Sequence, residues 1–336
     1  MLLEKLSNLP GVSGNEKAVR EAIIEQLQGH ALEWQTDTLG NLLVRKKGSG
    51  SGSRRVMLAA HMDEVGLMVT SIEKSGHLKF RPVGGIDSRV LVSKRVRVGD
   101  DRIPGVIGSK AIHLQKPEER LKPFELDQLY IDIGARNKDE AEKHVQIGTY
   151  VSFDTACTPF GDGCLRGKAF DDRAGCAVLL ELLLEKGGPA FDAAFTVQEE
   201  VGLRGARVAS YTLQPQYALA VEATAAADTP DTEKERSATM LGSGPAISFM
   251  DRSIIVNREI FKGLIEAGEK AKIPFQFRRF TGGGTDAGAI ALSREGVKAG
   301  VVAVPCRYIH SPCSVLKKSD LQHTVSLVRA WLEATA

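Results

Sequence analysis

Four apolar runs, each five residues long and each followed by ionisable groups, constrain this chain more than any other feature. Val56 to Ala60 leads into His61-Met62-Asp63-Glu64, and Ala193 to Val197 into Gln198-Glu199-Glu200. Tyr217 to Val221 stops at Glu222, while Gly300 to Val304 is followed by Arg307, Tyr308, Ile309 and His310. The runs have the length and composition of strands. From about Cys157 onward they alternate with helical stretches, as in an α/β layer with a mostly parallel sheet flanked by helices. A fifth stretch, Lys168-Ala169-Phe170, leads to Asp171-Asp172-Arg173, which opens a helix whose body, Ala174 to Leu184, is almost wholly apolar and has to be buried. Ligands of open α/β sheets bind outside the carboxyl ends of the strands. Four strand ends and one helix start therefore deliver His61, Asp171, Glu200, Glu222 and His310 to one edge, with Glu199 beside Glu200.

Each of these residues has an ordinary structural explanation. A single His after a strand is more often a satisfied structural residue than a ligand, Asp171 could cap its helix, and Glu199-Glu200 could be a solvated turn. Together they are harder to explain so, because converging carboxylates repel one another unless a cation holds them. Asp171, Glu200 and Glu222 bring three negative charges. One divalent ion would leave the cluster negative, whereas two ions and one hydroxide neutralise it. A mixed His/carboxylate set without thiolates suits zinc, cobalt or manganese, so the residues favour a dinuclear hydrolase.

The first 60 residues read as helix, helix, strand, hairpin tip and strand. Ser13-Gly14-Asn15-Glu16 has the spacing of a capping box, and Val19, Ile23, Ile24 and Leu27 behind it share one helical face. The hairpin tip is a Gly/Ser hexapeptide between Arg45-Lys46-Lys47 and Arg54-Arg55. From about Val65 to Asp154, short runs separated by turns predict a small β-barrel or sandwich. They are Gly66–Val69, Leu78–Phe80, Val90–Val92, Val96–Val98 and Tyr130–Ile133. Leu114 to Gln128 is charged, carries two prolines and reads as a long surface loop. The expected architecture is an α/β catalytic domain formed by residues 1–65 and 155–336, interrupted by an inserted β domain at 66–154.

Composition removes several classes. A net charge of +2 over 336 residues argues against a dedicated nucleic-acid binder. No apolar run approaches the ~20 residues of a membrane span. Five cysteines without framework spacing and no visible secretory signal predict reduced thiols and a cytoplasmic protein.

The same residues resemble a known family. Ala60-His61-Met62-Asp63-Glu64-Val65-Gly66, Phe170-Asp171-Asp172-Arg173, Gln198-Glu199-Glu200-Val201-Gly202-Leu203-Arg204-Gly205, Gly283-Gly284-Thr285-Asp286 and Arg307-Tyr308-Ile309-His310-Ser311 are similar to the motifs of the M42 metalloaminopeptidases. That family includes glutamyl, deblocking and tetrahedral aminopeptidases, and the similarity runs through nearly the whole chain. The resemblance implies a zinc-peptidase-like domain that removes the amino-terminal residue of short peptides, using two divalent metal ions and a water bridging them. Asp171 would bridge the ions, His61 and Glu222 would complete one site, and Glu200 and His310 the other. Glu199 would be the general base, and Asp63 would orient His61 from behind. It also implies a homo-oligomer: a dimer through the inserted domain, and a tetrahedral dodecamer of six dimers. One position departs from the family pattern, since Glu222 stands where Asp is common, which bears on metal preference.

Two other activities stay open on sequence: a dinuclear deacylase or carboxypeptidase with the same metal chemistry, and a catalytically retired assembly or binding protein. Gly282-Gly283-Gly284-Thr285-Asp286 lacks the Gly-Lys-Ser/Thr of a phosphate loop. It reads as a strand-to-helix connection near the pocket, with Asp286 either capping the helix or lining the substrate site. Arg307 and Tyr308 are candidates for the pocket wall.

Overall fold

The computed structural model describes residues 1–48, 55–230, 232 and 238–335. The chain begins with α1 (Leu2–Ser7) and α2 (Lys17–Leu27), followed by β1 (Glu33–Thr36), β2 (Leu42–Lys46) and β3 (Val56–His61). Next come β4 (Gly66–Ile72), β5 (Leu78–Val83), β6 (Arg95–Val98), β7 (Ile103–Gly108), β8 (Tyr130–Asp132), α3 (Lys138–Ala141) and β9 (Tyr150–Phe153). The remainder is β10 (Thr158–Phe160), β11 (Cys164–Gly167), α4 (Phe170–Leu184), β12 (Phe191–Thr196), α5 (Arg204–Leu213), β13 (Tyr217–Ala225), β14 (Ala246–Ser248), α6 (Arg258–Ala271), β15 (Gln276–Arg278), α7 (Asp286–Ala291), β16 (Lys298–Arg307), β17 (Ser314–Lys317) and α8 (Lys318–Thr335).

Eleven strands form one mixed sheet in the order β1-β2-β12-β3-β13-β16-β17-β11-β10, with β14 also on β16 and β15 on β14. The central strands β12, β3, β13 and β16 are parallel, and the flanks β1–β2 and β17–β11–β10 run antiparallel. Alternation along the central strands divides their side chains between two cores. Leu58, Ala60, Phe195, Val221 and Val302 face one core with α1, α2, α4, α6 and α8. Ala59, Ala194, Ala218 and Ala220 face the other, where α5 and α7 pack on this small-residue surface through Ala206, Ala209, Ala287 and Ile290. Helix α4 is buried from Arg173 through Leu180, as its apolar sequence requires, because it lies between the sheet, α1 and α8.

Strands β4 to β9 close into a six-stranded antiparallel barrel in the order β4-β5-β8-β7-β6-β9, filled by Leu67, Val69, Leu78, Phe80, Val96, Ile107, Ile131 and Phe153. The run at Val90–Val92 is not a strand. Ser88–Val90 form a 3-10 turn, and Leu91 behind it packs into the barrel core. Between Leu114 and Gln128 the chain forms only short 3-10 turns on the surface.

Two local readings of the N-terminal segment change. Residues 49–54 of the expected hairpin tip lie outside the described residues, but the flanking strands are not a hairpin. Both β2 and β3 pair with β12, which lies between them. The capping box does not form either. The Ser13 hydroxyl donates to Asp63 at 2.6 Å and Glu16 accepts from the Gly14 amide at 2.6 Å, so both side chains serve contacts other than the start of α2. Among the described residues no helix is long and apolar enough to cross a membrane.

Candidate metal centre and active site

Strand phase puts the site where it is. Ala59 pairs with Ala220, so His61 and Glu222, each two residues further along parallel strands, leave the same face at the same level. Thr196 is level with His61 on the other neighbouring strand. Both His61 and Glu222 are buried. Asp171 reaches the pair from the segment that opens α4, where Asp171 and Asp172 have non-helical backbone angles and are joined by a cis peptide bond. Glu199 and Glu200 follow β12, and His310 follows β16.

The geometry divides around Asp171. His61 Nε2 lies 3.2 Å from Asp171 Oδ1 and 3.6 Å from Glu222 Oε2. His310 Nε2 lies 3.5 Å from Asp171 Oδ2 and 3.4 Å from Glu200 Oε2. Each carboxylate oxygen of Asp171 thus faces a different His/Glu pair. Glu199 stands to one side, its Oε2 4.0 Å from His61 Nε2. The sequence candidates His61, Asp171, Glu199, Glu200, Glu222 and His310 all line one cavity of about 520 Å³.

Asp63 lies behind this ring and is fully buried. Its carboxylate accepts from the Ser13 hydroxyl at 2.6 Å and from the amides of Glu199 and Glu200 at 3.0 and 3.2 Å. His61 Nδ1 is 3.2 Å from the Asp63 main-chain oxygen and 3.4 Å from its carboxylate. On the other side of the cluster, His310 Nδ1 meets the carbonyl of Gly85, at the end of the β4–β5 hairpin, at 2.8 Å.

The electrostatics are those of too many acids for the protein alone. Burial, reinforced by Asp286 and Asp171, pushes Glu222 up to about 8. Burial beside Asp171 and Asp63 raises Glu200 to about 7. Glu199 is lifted well above the usual carboxylate range by burial, Glu222, Asp286 and Glu200. Against burial, Asp171 and Glu200 raise His310 to about 9, and Glu199, Asp171 and Asp63 raise His61. Asp171, between the two imidazoles, is held low despite its burial.

The donor set suits divalent ions. It is made of imidazole and carboxylate alone, and the nitrogen–oxygen separations around Asp171 bracket the about 3.3 Å expected between two ligand atoms on one tetrahedral zinc. Groups of donors close enough to share an ion include His61 with Asp171 and Glu200, and His61 with Glu199 and Glu222.

Two further polar residues, Asp172 and Asp286, support the ring. The Asp172 carboxylate accepts from the amides of His61 and Gly175 at 3.3 and 2.9 Å. Asp286 neither caps α7 nor lines the cavity. It is buried behind Glu222, donates its amide to Glu222 Oε1 at 3.3 Å and accepts from Thr196 Oγ1 at 2.5 Å. Arg307 turns away to pair with Asp228 at 2.7 Å, whereas Tyr308 is exposed in an outer groove beside His310. The Gly282–Thr285 connection between β15 and α7 forms part of the cavity wall.

Likeness to known proteins extends over nearly the whole chain. Residues 40–327 match the model of the M42 glutamyl aminopeptidases. A candidate aminopeptidase of Acetivibrio thermocellus is 42% identical, the match covering 97% of this chain and 96% of that protein. The structure of the aminopeptidase APDkam598 from Desulfurococcus kamchatkensis superposes with a TM-score of 0.93 at 40% identity, covering 99% of this chain and 93% of the other. A TET1 peptidase of Pyrococcus horikoshii, described as assembling into a tetrahedron or a large octahedral shell, superposes with a TM-score of 0.84 at 35% identity and covers 98% and 97% of the two chains.

Proposed function

This chain belongs to the M42 glutamyl aminopeptidase family and is an aminopeptidase, and we propose that it removes the amino-terminal residue of short peptides by dinuclear metal catalysis. The observation that carries the proposal is the two-sided presentation of Asp171, with His61 and Glu222 at one oxygen and His310 and Glu200 at the other. We assign Asp171 as the shared ligand, His61 and Glu222 to one ion, and Glu200 and His310 to the second. When bound, the two ions lower the pKa of a hydrolytic water and polarise the scissile carbonyl; zinc, cobalt and manganese all suit these donors.

The chain's own residues supply the rest. Glu199 acts as general base and acid, taking the proton of the attacking water and handing it to the leaving nitrogen. Its carboxylate lines the cavity with Oε2 4.0 Å from His61 Nε2, beside the ring of donors and within reach of that water. Asp63 positions rather than reacts: one carboxylate fixes the amides of both Glu199 and Glu200 and stands behind the His61 ring. Asp286 and Asp172 do the same for Glu222 and for the His61 main chain.

We assign residues 1–65 and 155–336 to catalysis and residues 66–154 to dimerisation. The barrel region exposes Ile112, Leu114, Leu121 and Ile147, and the related TET1 peptidase assembles into closed shells; a tetrahedral dodecamer is the assembly we propose. The five free thiols suit the cytoplasm.

The test is hydrolysis of one short peptide offered with a free and with an acetylated amino terminus, after chelation and reconstitution with each metal. Metal-restored cleavage of the free peptide alone is expected. Cleavage of the blocked peptide would move the activity towards a deacylase, and silence with every metal and amino-terminal residue would indicate a retired site.

A further inference from the structure

A second, larger cavity adjoins the active site. A groove of about 1200 Å³ runs along the junction between barrel and sheet and shares Gly85, Ile309 and His310 with the catalytic cavity. His310 therefore stands in the wall between the two. The two spaces differ in charge. The catalytic cavity is walled by four acids, Asp171, Glu199, Glu200 and Glu222, against one arginine, Arg278, whereas four cations, Arg89, Lys94, Arg95 and Arg166, line the groove against two acids, Asp87 and Asp154.

Both acids are already paired. Asp87 accepts twice from the Arg89 Nε–H, at 3.0 and 2.9 Å, and Asp154 lies 3.2 Å from Arg97 and 3.9 Å from Arg95. Lys94 and Arg166 have no carboxylate partner among the described residues. Arg166 is nonetheless oriented, because its Nε–H donates to Thr158 Oγ1 at 3.0 Å, leaving its terminal nitrogens for a ligand. Lys94 approaches from the barrel and Arg166 from β11.

A peptide with free ends carries the opposite pattern, a cationic amine at one end and a carboxylate at the other. With its amino-terminal residue in the catalytic cavity, an extended chain advances about 3.3 Å per residue, so the residues after the scissile bond can pass His310 into the adjoining groove. We propose that the groove is the leaving-peptide subsite and that Lys94 and Arg166 bind a carboxylate of the departing peptide. Arg is suited to this by its planar fork of donors. The carboxylate can be the terminus of a tri- or tetrapeptide or an acidic side chain of a longer one. This rests on the aminopeptidase reading above.

The experiment uses the metal-loaded enzyme and the amino-terminal residue, X, that it cleaves fastest. Four substrates are compared: X-p-nitroanilide, X-Gly-Gly, X-Gly-Gly-amide and X-Gly-Glu-amide. For the wild type, kcat/KM for X-Gly-Gly should exceed that for its amide about 5- to 10-fold, mostly through KM, and the margin should shrink with added salt. In the Lys94→Ala/Arg166→Ala double variant the ratio should fall to about 1, and in Lys94→Glu/Arg166→Glu it should invert. Taking the ratio within each enzyme cancels differences in metal content or folded fraction. A preference for X-Gly-Glu-amide over X-Gly-Gly-amide identifies side-chain carboxylates as ligands too, and its absence confines the subsite to chain termini. Equal rates on carboxylate and amide in the wild type, or a ratio unchanged in the double variant, would overturn the subsite. Cleavage of X-p-nitroanilide in that case would leave the aminopeptidase reading standing. Turnover of none of the four would overturn both.

Discussion

The two halves of the candidate metal centre share Asp171 and are otherwise built differently. The His61 half is made inside the sheet: His61 is 1% exposed, Glu222 3%, and the Asp63 behind them is fully buried. The side chain of His310 is 41% exposed, and the carbonyl at its back belongs to Gly85, in the barrel. The His61 half is fixed by strand register and the Asp63 network, whereas in the other half Glu200 shares Asp63 but His310 rests on the junction between barrel and sheet. We expect the second to exchange its ion more readily and to respond to changes at the barrel junction.

The largest effects should come from residues that serve both halves. Asp171→Asn removes the shared ligand, so metal analysis should find less than one ion per chain and activity should vanish. A variant holding two ions would break the bridging assignment. Glu199→Gln should separate chemistry from binding, with about 10²–10⁴ lost in kcat while both ions remain. Next in size are the single-half variants. His310→Ala should retain one ion and, because its side chain is partly exposed, cost the metal-free protein less stability than His61→Ala. His61→Ala should lose an ion and also destabilise the metal-free protein by roughly 1–3 kcal/mol, because it takes a buried imidazole from among the carboxylates of Asp63, Asp171 and Glu222. Equal denaturation midpoints for the two metal-free variants would remove the asymmetry.

What the sequence discloses follows the same division. His61 and Glu222 end apolar runs, and their phase along β3 and β13 follows from period-two alternation, so the strand-built part of the site can be read by eye. Glu199, Glu200, Asp171 and His310 follow from the same pattern with the family motifs added. The supports could not be read this way. Ser13 has the spacing of a helix cap, yet its hydroxyl is taken by a carboxylate 50 residues away. Gly85 acts through its main chain, which has no residue-type signal. Asp286 stands behind Glu222, a position fixed only when α7 packs on β13. Among the strands, β1 is short and fully exposed, and β7 and β9 have no uninterrupted apolar run, so hydrophobic pattern alone did not reveal them. The expected hairpin failed because adjacency in sequence gives no hint that β12 inserts between β2 and β3.

The metal-free centre should also be sensitive to pH in a direction set by its raised groups. Glu222 at about 8, Glu200 at about 7 and His310 at about 9 all hold protons more tightly folded than unfolded. Between the ordinary carboxylate range and about pH 9 the folded state therefore binds more protons than the unfolded state, and stability falls as pH rises. The metal-free protein should denature progressively more easily from pH 5 to pH 9. Loading ions displaces those protons, so the loaded enzyme should show a flatter profile, and calorimetry in buffers of different ionisation enthalpy should detect proton release. A metal-free profile that rises over this window would contradict the proton-rich site.

The smallest effect is the most selective probe of the barrel junction. Gly84 has φ +83°, and a methyl group there would stand 2.9 Å from Val65 Cγ1 and 3.3 Å from Glu200 Cβ. Gly84→Ala should cost about 1 kcal/mol through the backbone conformation alone. Its contact pushes on Glu200 rather than on Glu222. If the second half depends on the junction, the substitution should weaken only the more exchangeable ion, several-fold in a chelator competition, and leave retention of the other unchanged. Equal weakening of both ions would mean that Asp171 transmits the strain and that the halves behave as one unit.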